Sequence, residues 1–241
     1  MYIEWGQWKQ IPVRGKHLDE LSLKDLIFIG ISKAGTAPFV YWYLRFCYQD
    51  AGRLDWDISQ LNLLNTFGAL VALFVVYDFF YTILHWFLHI KAIYGWVHKH
   101  HHVQKAPSRA NVDAVNVHPV EFILGEYNHL WALFLVTRVI NVHFFTTIAF
   151  LAIGGFLAGL NHTRFDVVVP FLGWNIYDSK VHDVHHRIPQ SNYGQYIMLW
   201  DVVFGSYRPY NPDDRVNPDS QLDPKTGKTL GYAQNQAGKA L

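Results

Sequence analysis

Cysteine and charge are both scarce in this sequence. The single cysteine, Cys47, cannot form an internal disulfide, and without a second cysteine there is neither a zinc ribbon nor a CxxC redox site. Charged residues make up 16% of the chain, against about 25% in an ordinary soluble domain. A metal site in this chain must therefore use histidine or carboxylate. The low proportion of charged residues favours a protein in contact with lipid.

Basic runs are also missing. The formal net charge is only +1, and the lysines and arginines form no stretch that would follow a phosphate backbone, so we predict no nucleic-acid partner. The start of the sequence, MYIEWGQWKQ, lacks the basic region and short apolar core of a cleaved signal peptide. We therefore expect membrane segments to be retained in the mature protein.

What the sequence does contain is long apolar runs. In residues 61–90, Asp78 is the only acidic or basic residue apart from two histidines at the end. A bilayer is spanned by about 20 apolar residues, so this run predicts a membrane helix from Leu61 to about Leu84. Residues 143–160 are also long enough to span, whereas the runs 120–136 and 26–48 are interrupted by charged residues. The fold class predicted is an all-α integral membrane protein with about four transmembrane or re-entrant helices.

These runs also divide the chain. We predict an N-terminal region over residues 1–60 with a candidate first membrane segment, a central domain over 61–210, and a polar C-terminal tail over 211–241, where prolines and polar residues interrupt any helical pattern. Lysines and arginines are concentrated beside the histidine-rich segments, while DAGRLDWD before the first strong span is mainly acidic. By the positive-inside rule, the histidine-rich side is cytoplasmic.

Histidine is the residue that the sequence has in excess. Ten of its fourteen histidines fall in two windows, 85–102 and 162–186. Helical spacing of i, i+3 and i+4 places side chains on one face, and three elements have such spacing: HWFLH at 85–89, HKHHH at 98–102 and HDVHH at 182–186. In the second of these, His100 points away from the face that holds His98. His17, His129 and His143 have no partner at ligand spacing, so we interpret them as structural.

Neutral imidazole suits iron, zinc, copper and nickel, whereas magnesium and calcium prefer oxygen ligands. The histidines of the three elements are too many for one tetrahedral zinc, so two metal ions are the natural number. A lone histidine pair on an apolar helix is more often a structural interfacial pair, but three such elements on one side of the membrane favour a shared metal site. A histidine-lined divalent-metal transporter is the alternative interpretation, although transporters carry polar ligands near the middle of the membrane.

The order of these motifs resembles the membrane-bound fatty acid hydroxylase and sterol desaturase superfamily. That superfamily has His-x-x-x-His, His-x-x-His-His, a hydrophobic hairpin and a second His-x-x-His-His, matched here by HWFLH, HKHHH, residues 120–161 and HDVHH. Smaller signs agree, namely HPVE at 118–121, NHTRFD at 161–166 and NYGQYIMLWDVVFGSY at 192–207. Together these motifs cover about residues 78–208, and the resemblance implies that the central domain over 61–210 is a catalytic domain of this kind.

The resemblance implies a four-helix membrane core with a cytosolic helical cap that carries the histidines. It also implies two iron ions, with O₂ as co-substrate and two electrons for the hydroxylation or desaturation of a sterol, a fatty acyl chain or a sphingoid base. The sequence contains no His-Pro-Gly-Gly haem motif, so the electrons are expected from a separate donor such as cytochrome b5 or a reductase. Residence in the endoplasmic reticulum is expected for a eukaryotic host.

The resemblance also implies site residues. The expected metal ligands are His85, His89, His98, His101, His102, His162, His182, His185 and His186. His118 is either a further ligand or a supporting group beside Glu121, and Glu121 is itself expected to be a supporting carboxylate. The carboxylates of Asp78, Asp166 and Asp201 are expected to hold ligand imidazoles by their other ring nitrogen.

Overall fold

The computed structural model describes residues 9–13, 18, 20–171 and 173–211 of the 241-residue chain. His17 and residues 212–241 of the predicted tail lie outside the described residues. The α-helices of the described part are α1 (Leu23–Gln49), α2 (Ala69–Leu88), α3 (Lys91–Tyr94), α4 (Asn111–Ala114), α5 (Pro119–Val139), α6 (Phe144–Asn161), α7 (Ser179–Arg187) and α8 (Leu199–Phe204). A π-helical turn, Leu64–Gly68, leads into α2.

Three of the four long helices, α1, α5 and α6, begin at residues whose side chains accept a backbone N–H, whereas α2 continues directly from the π-helical turn. Ser22 and Asp25 form a capping box at the start of α1. Proline follows the capping residue at the start of α5, where its missing N–H and fixed φ suit the first turn. His143 caps α6 by accepting the N–H of Phe145. This cap agrees with its predicted structural role.

The long helices alternate in direction. At one end, Asn116 before α5 donates to Asp25 in the first turn of α1 at 2.8 Å, and Glu121 of α5 contacts His98, which follows α2. At the other end, the N–H of Arg53 after α1 donates to the carbonyl of Thr137 in α5 at 3.0 Å. The N-termini of α1 and α5 therefore lie with the C-termini of α2 and α6. We call this the histidine end, and the opposite one the far end.

Aromatic and aliphatic side chains fill the space between these helices. Tyr43, Leu73, Leu133 and Phe150 are fully buried there. Two helical stretches, Leu64–Leu88 and Phe144–Asn161, are long and apolar enough to cross a membrane, and only 28% and 33% of their most apolar windows are buried inside the protein. Because so much of their apolar surface faces outwards, lipid suits them better than the interior of a soluble protein. The predicted spans at 61–84 and 143–160 therefore correspond to these helices.

Two small sheets depart from the all-α prediction. Strands β1 (Leu54–Asp55) and β2 (Val142–His143) pair in parallel at the far end. Strands β3 (Val168–Phe171) and β4 (Trp174–Asp178) form an antiparallel hairpin whose turn has Gly173 at φ 82°. This hairpin positions the site, because the carboxylate of Asp178 at the end of β4 accepts the N–H of Lys180 and so caps α7.

Candidate metal centre

Nine buried or half-buried histidines converge at the histidine end of the helices. They are all the histidines predicted as ligands, and they form two groups whose candidate ligand atoms lie within 4.8 Å of one another. The five-histidine group contains His85, His89, His98, His102 and His185. The four-histidine group contains His101, His162, His182 and His186. The groups adjoin, since the ring centroids of His102 and His186 are 4.9 Å apart.

Each His-x-x-His-His element is divided between the two groups. His98 and His102 belong to the five-histidine group, but His101 between them belongs to the four-histidine group. The second element is divided in the opposite sense, with His185 in the five-histidine group. The helix assumed for 98–102 is wrong at that position, because this stretch ends in a 3-10 turn at His101–Val103. The regular helix α7 nevertheless separates His185 from His182 and His186 in the same way.

His100 lies apart from both groups. Its Nε2 is 3.0 Å from Oδ1 of Asn116 and 3.0 Å from Oδ1 of Asp25. This histidine therefore joins the loop before α5 to the first turn of α1, on the side away from the convergent nitrogens.

Within both groups, the atoms that approach one another are Nε2 atoms. Nε2 of His98 is 3.0 Å from that of His85 and 2.9 Å from that of His102. In the four-histidine group the corresponding contacts are 3.1–3.2 Å. Nitrogens that bind one metal ion at about 2.1 Å lie about 3 Å apart when their bonds are at right angles. These spacings therefore fit nitrogen ligands around a metal ion.

In several of these imidazoles, the contact made by Nδ1 decides which of the two ring nitrogens carries the proton. Nδ1 of His85 lies 2.7 Å from the carbonyl oxygen of Tyr193. Nδ1 of His185 lies 2.6 Å from the carbonyl oxygen of Ser191, and Nδ1 of His162 lies 2.8 Å from that of Ala158. Nδ1 of His186 is 2.9 Å from the carbonyl of Gln104. A carbonyl only accepts, so Nδ1 carries the proton and Nε2 presents its lone pair to the group. Lone pairs that face one another in a buried site are stabilised by a cation between them.

Protons on the imidazoles do not take the place of that cation, because burial disfavours the charged form. Burial lowers the pKa of His98 to about 3. Burial, followed by the charges of neighbouring histidines, places the pKa of His102, His185 and His186 well below the usual value. The imidazoles are therefore neutral near pH 7, which is the form that binds metal. Nε2 of His89 and of His185 are buried with no hydrogen-bond partner among the described residues, as expected of atoms reserved for a ligand.

Only one of the predicted supporting carboxylates contacts a clustered histidine. Glu121 lies 2.7 Å from Nδ1 of His98 and so orients its Nε2 into the five-histidine group. His118 is outside both groups and caps α5 by accepting the N–H of Val120. Asp166 pairs with Lys9 and Lys180.

Asp78 and Asp201 support the site differently from the prediction. Instead of an imidazole, each holds backbone N–H groups of the segment 193–197. Asp201 accepts from Tyr193 and Gly194 at 2.7 and 2.8 Å, and Asp78 accepts from Tyr196 at 3.0 Å and from its two neighbours. Because the carbonyl of Tyr193 holds His85, these carboxylates act on the site through the backbone.

Several groups at the site were not predicted. The backbone acceptors of the histidine Nδ1 atoms have no residue-type signal, so spacing arguments miss them. Asp183, which lies between Arg164 at 2.6 Å and Arg187 at 3.3 Å, braces α7 and was also missed. The only sequence signal for Asp183 was its position within HDVHH, between His182 and His185.

Comparison with known proteins agrees with this geometry. The fatty acid hydroxylase family model matches residues 70–206, which is more than half of the chain and includes all nine clustered histidines. The chain belongs to the fatty acid hydroxylase family. The predicted resemblance is thereby confirmed.

Several curated relatives of this fatty acid hydroxylase family member act on sterols by name. A Delta(7)-sterol-C5(6)-desaturase of Nicotiana tabacum is 31% identical over 56% of this chain and 47% of the relative. Methylsterol monooxygenase 1 of Rattus norvegicus is 31% identical over 55% of this chain and 44% of the relative. Lathosterol oxidase of Homo sapiens is 24% identical over 78% and 60%. The chain thus spans about half the length of the curated relatives it matches. No solved structure matches it significantly.

Proposed function

We propose that this fatty acid hydroxylase family member is a membrane-bound, non-haem di-iron oxygenase that hydroxylates or desaturates a lipid. The observation that carries the proposal is the pair of adjoining, buried, all-histidine groups at one end of apolar helices. Each group would hold one iron ion through Nε2 atoms. Iron bound there would supply the oxidising chemistry for an unactivated C–H bond, using O₂ and two electrons.

The reaction consumes the same reagents for either product. Hydroxylation converts C–H, O₂, two electrons and two protons into C–OH and water, whereas desaturation of CH–CH yields C=C and two waters. The named activities of the relatives, which include a sterol desaturase and a methylsterol monooxygenase, support a lipid substrate. Among lipids, the candidates are sterols, fatty acyl chains and sphingoid bases.

The chain's own residues would orient the ligands and exclude water. Backbone carbonyls and Glu121 hold the protonated Nδ1 atoms, so that the Nε2 lone pairs are directed to the centre before metal binds. Burial of the clustered imidazoles keeps them neutral and keeps bulk water away from the reacting carbon. The outward-facing apolar surfaces of the long helices place the centre beside lipid.

The electrons would come from a separate donor such as cytochrome b5 or a reductase. Positive residues near the histidine end favour a cytoplasmic site, and in a eukaryotic host we propose the endoplasmic reticulum.

A metal transporter is the weaker alternative. The histidine groups lie together at one end of the helices, whereas a transport path needs polar groups through the depth of the membrane. The named relatives are lipid oxidoreductases, which also disfavours transport.

The test combines metal content with lipid products. The full chain, expressed in cells, is purified for iron analysis, and the lipids of the same cells are profiled. We expect about two iron ions per chain and an oxidised lipid that disappears with His185→Ala, while His100→Ala serves as the matched control and retains both. The proposal fails if His185→Ala leaves iron and product unchanged, or if purified vesicles carry metal across the membrane without lipid oxidation.

A further inference from the structure

His182 differs from most of the clustered histidines at its Nδ1. Its Nε2 lies 3.2 Å from that of His162 and 3.1 Å from that of His186, which assigns this nitrogen to the four-histidine group. Its Nδ1 is buried and has no hydrogen-bond partner among the described residues. Five other clustered histidines have a carbonyl or carboxylate at Nδ1, so His182 lacks a support that its neighbours have.

A small cavity adjoins this imidazole. His182, Tyr177, Asn161 and Asp178 all line a cavity of about 10 Å³. This is close to the smallest volume that admits one water molecule, about 10–15 Å³. A water molecule in such a space also needs two to four polar partners.

The lining supplies those partners. The Tyr177 hydroxyl donates to Oδ1 of Asn161 at 2.8 Å, so the lone pairs of its oxygen can accept from another donor. Asn161 is held in turn, because its Nδ2 donates to the carbonyl of Gln195 at 2.7 Å. Asp178 adds a carboxylate to the lining, and one of its oxygens already accepts the N–H of Lys180 at 2.9 Å. The lining thus offers acceptors in the cavity beside His182, whose Nδ1–H needs one.

We propose that this cavity is a binding site for one ordered water molecule, which accepts the Nδ1–H of His182 and donates to the Tyr177 hydroxyl. The water fixes the tautomer in which Nε2 of His182 presents its lone pair to the four-histidine group. Tyr177 is therefore a positioning residue for one of the two metal ions.

The inference rests on the proposed function, because it assumes that the four-histidine group holds metal. The first experiment uses the full chain loaded with iron and follows release of iron to an excess of bipyridyl chelator. Loss of the partner of a metal-binding histidine typically lowers metal affinity about 10–100-fold. In Tyr177→Phe we expect one of two iron ions to be released about 10–100-fold faster, with the other unchanged. Tyr207→Phe removes an exposed hydroxyl nearby and is the matched control, with release as in the parent chain.

An experimental structure of the iron-loaded protein provides the second measurement. We expect density for one water molecule within hydrogen-bond distance of Nδ1 of His182 and of the Tyr177 oxygen. Empty density there, or unchanged release of both iron ions in Tyr177→Phe, overturns the inference while leaving the di-iron proposal intact. If the parent chain binds no iron at all, the proposed function itself fails.

Discussion

Each clustered histidine has one nitrogen directed to the other histidines and one directed to the surrounding protein. Where the outer nitrogen meets a carbonyl or Glu121, it must be the donor, and the inner nitrogen is then available as a ligand. His100 shows the contrast, since its contacts with Asn116 and Asp25 lie outside both groups. Sequence adjacency alone therefore does not decide which imidazole is a ligand.

The neighbours His100 and His101 provide a matched pair of variants. We expect His100→Ala to retain about two iron ions per chain, because no Nε2 contact of either group is lost. His101→Ala should lose one, because its Nε2 lies 3.2 Å from that of His162 in the four-histidine group. Iron analysis of the two purified variants measures the difference. Equal iron content in both would contradict the assignment.

The nine histidines were predictable because their spacing and chemistry are local properties of the sequence. Their division into two groups was not, because it depends on distant segments that bring His162 beside His101 and His182. The roles expected for Asp78 and Asp201 failed for a related reason. A carboxylate can hold a ligand through the backbone of another segment, and residue type does not reveal that arrangement.

At the scale of elements, the segment 193–197 joins α2 and α8 to the five-histidine group. Asp78 of α2 and Asp201 of α8 hold its backbone, and its Tyr193 carbonyl accepts the Nδ1–H of His85. Displacement of this segment should therefore be transmitted to the five-histidine group more than to the four-histidine group.

Asp201→Asn tests that connection. The amide presents an NH₂ group where the carboxylate accepts two N–H groups, so at least one of the contacts with Tyr193 and Gly194 is lost. We expect weaker iron binding by the five-histidine group, about 10–100-fold in affinity. Chelator titration should show one weakened ion of the two.

Ser206→Ala serves as the control for Asp201→Asn. It removes only the hydroxyl bond to Asp201, at 2.6 Å, and keeps both backbone contacts, so it should have a smaller effect. An Asp201→Asn protein with both iron ions bound as tightly as in the parent would refute the connection.

Two adjacent glycines on α6 test the packing between α6 and the helices around it. A Cβ at Gly154 would lie 2.9 Å from the Tyr196 hydroxyl and 3.3 Å from Nε2 of His129, whereas one at Gly155 meets nothing within 4 Å. We expect Gly154→Ala to lower the free energy of unfolding by about 1–3 kcal/mol, as overpacking does. Gly155→Ala should be neutral or slightly stabilising. Thermal unfolding in detergent compares them, and equal midpoints would contradict the close approach.

Sequence patterns located the long helices within a few residues. The runs 26–48 and 120–136 correspond to Leu23–Gln49 and Pro119–Val139. Composition is more decisive for α2 and α6, because an uninterrupted apolar stretch surrounded by lipid can satisfy its backbone only as a helix. The hairpin Val168–Phe171 and Trp174–Asp178 was missed, since its pairing is set by a turn and by packing beside α7.

For the whole molecule, the buried histidines couple stability to pH. Burial holds the pKa of His98 at about 3 and lowers that of His102 and His182, whereas the ordinary value in an unfolded chain is about 6.5. Between the two values the unfolded chain binds protons that the folded chain does not, so stability falls as pH falls. It is complete above about pH 6.5 and declines below it by up to about 1.4 kcal/mol per pH unit for each histidine.

Thermal unfolding of the metal-free protein at pH 8, 7, 6 and 5 measures this dependence. We expect similar midpoints at pH 8 and 7 and a progressive decrease at 6 and 5. The iron-loaded protein should be more stable at each pH, because metal binds the folded chain. A midpoint that stays constant down to pH 5 would show that the clustered imidazoles are not held neutral.

The alternation of the four long helices predicts how the chain lies in the membrane. If α1, α2, α5 and α6 all cross, the histidine end and the far end lie on opposite sides, with the histidine end cytoplasmic.

The only native cysteine, Cys47, is 2% exposed, so a cysteine introduced at a surface position can report alone. Lys99 at the histidine end and Ser59 at the far end are both exposed. In sealed vesicles with the cytoplasmic face outward, an impermeant maleimide should label Lys99→Cys directly and Ser59→Cys only after detergent is added. Labelling of both variants before detergent would mean that the helices re-enter or lie along one face of the membrane. Labelling of Ser59→Cys alone would mean that the orientation assigned by the positive-inside rule is wrong.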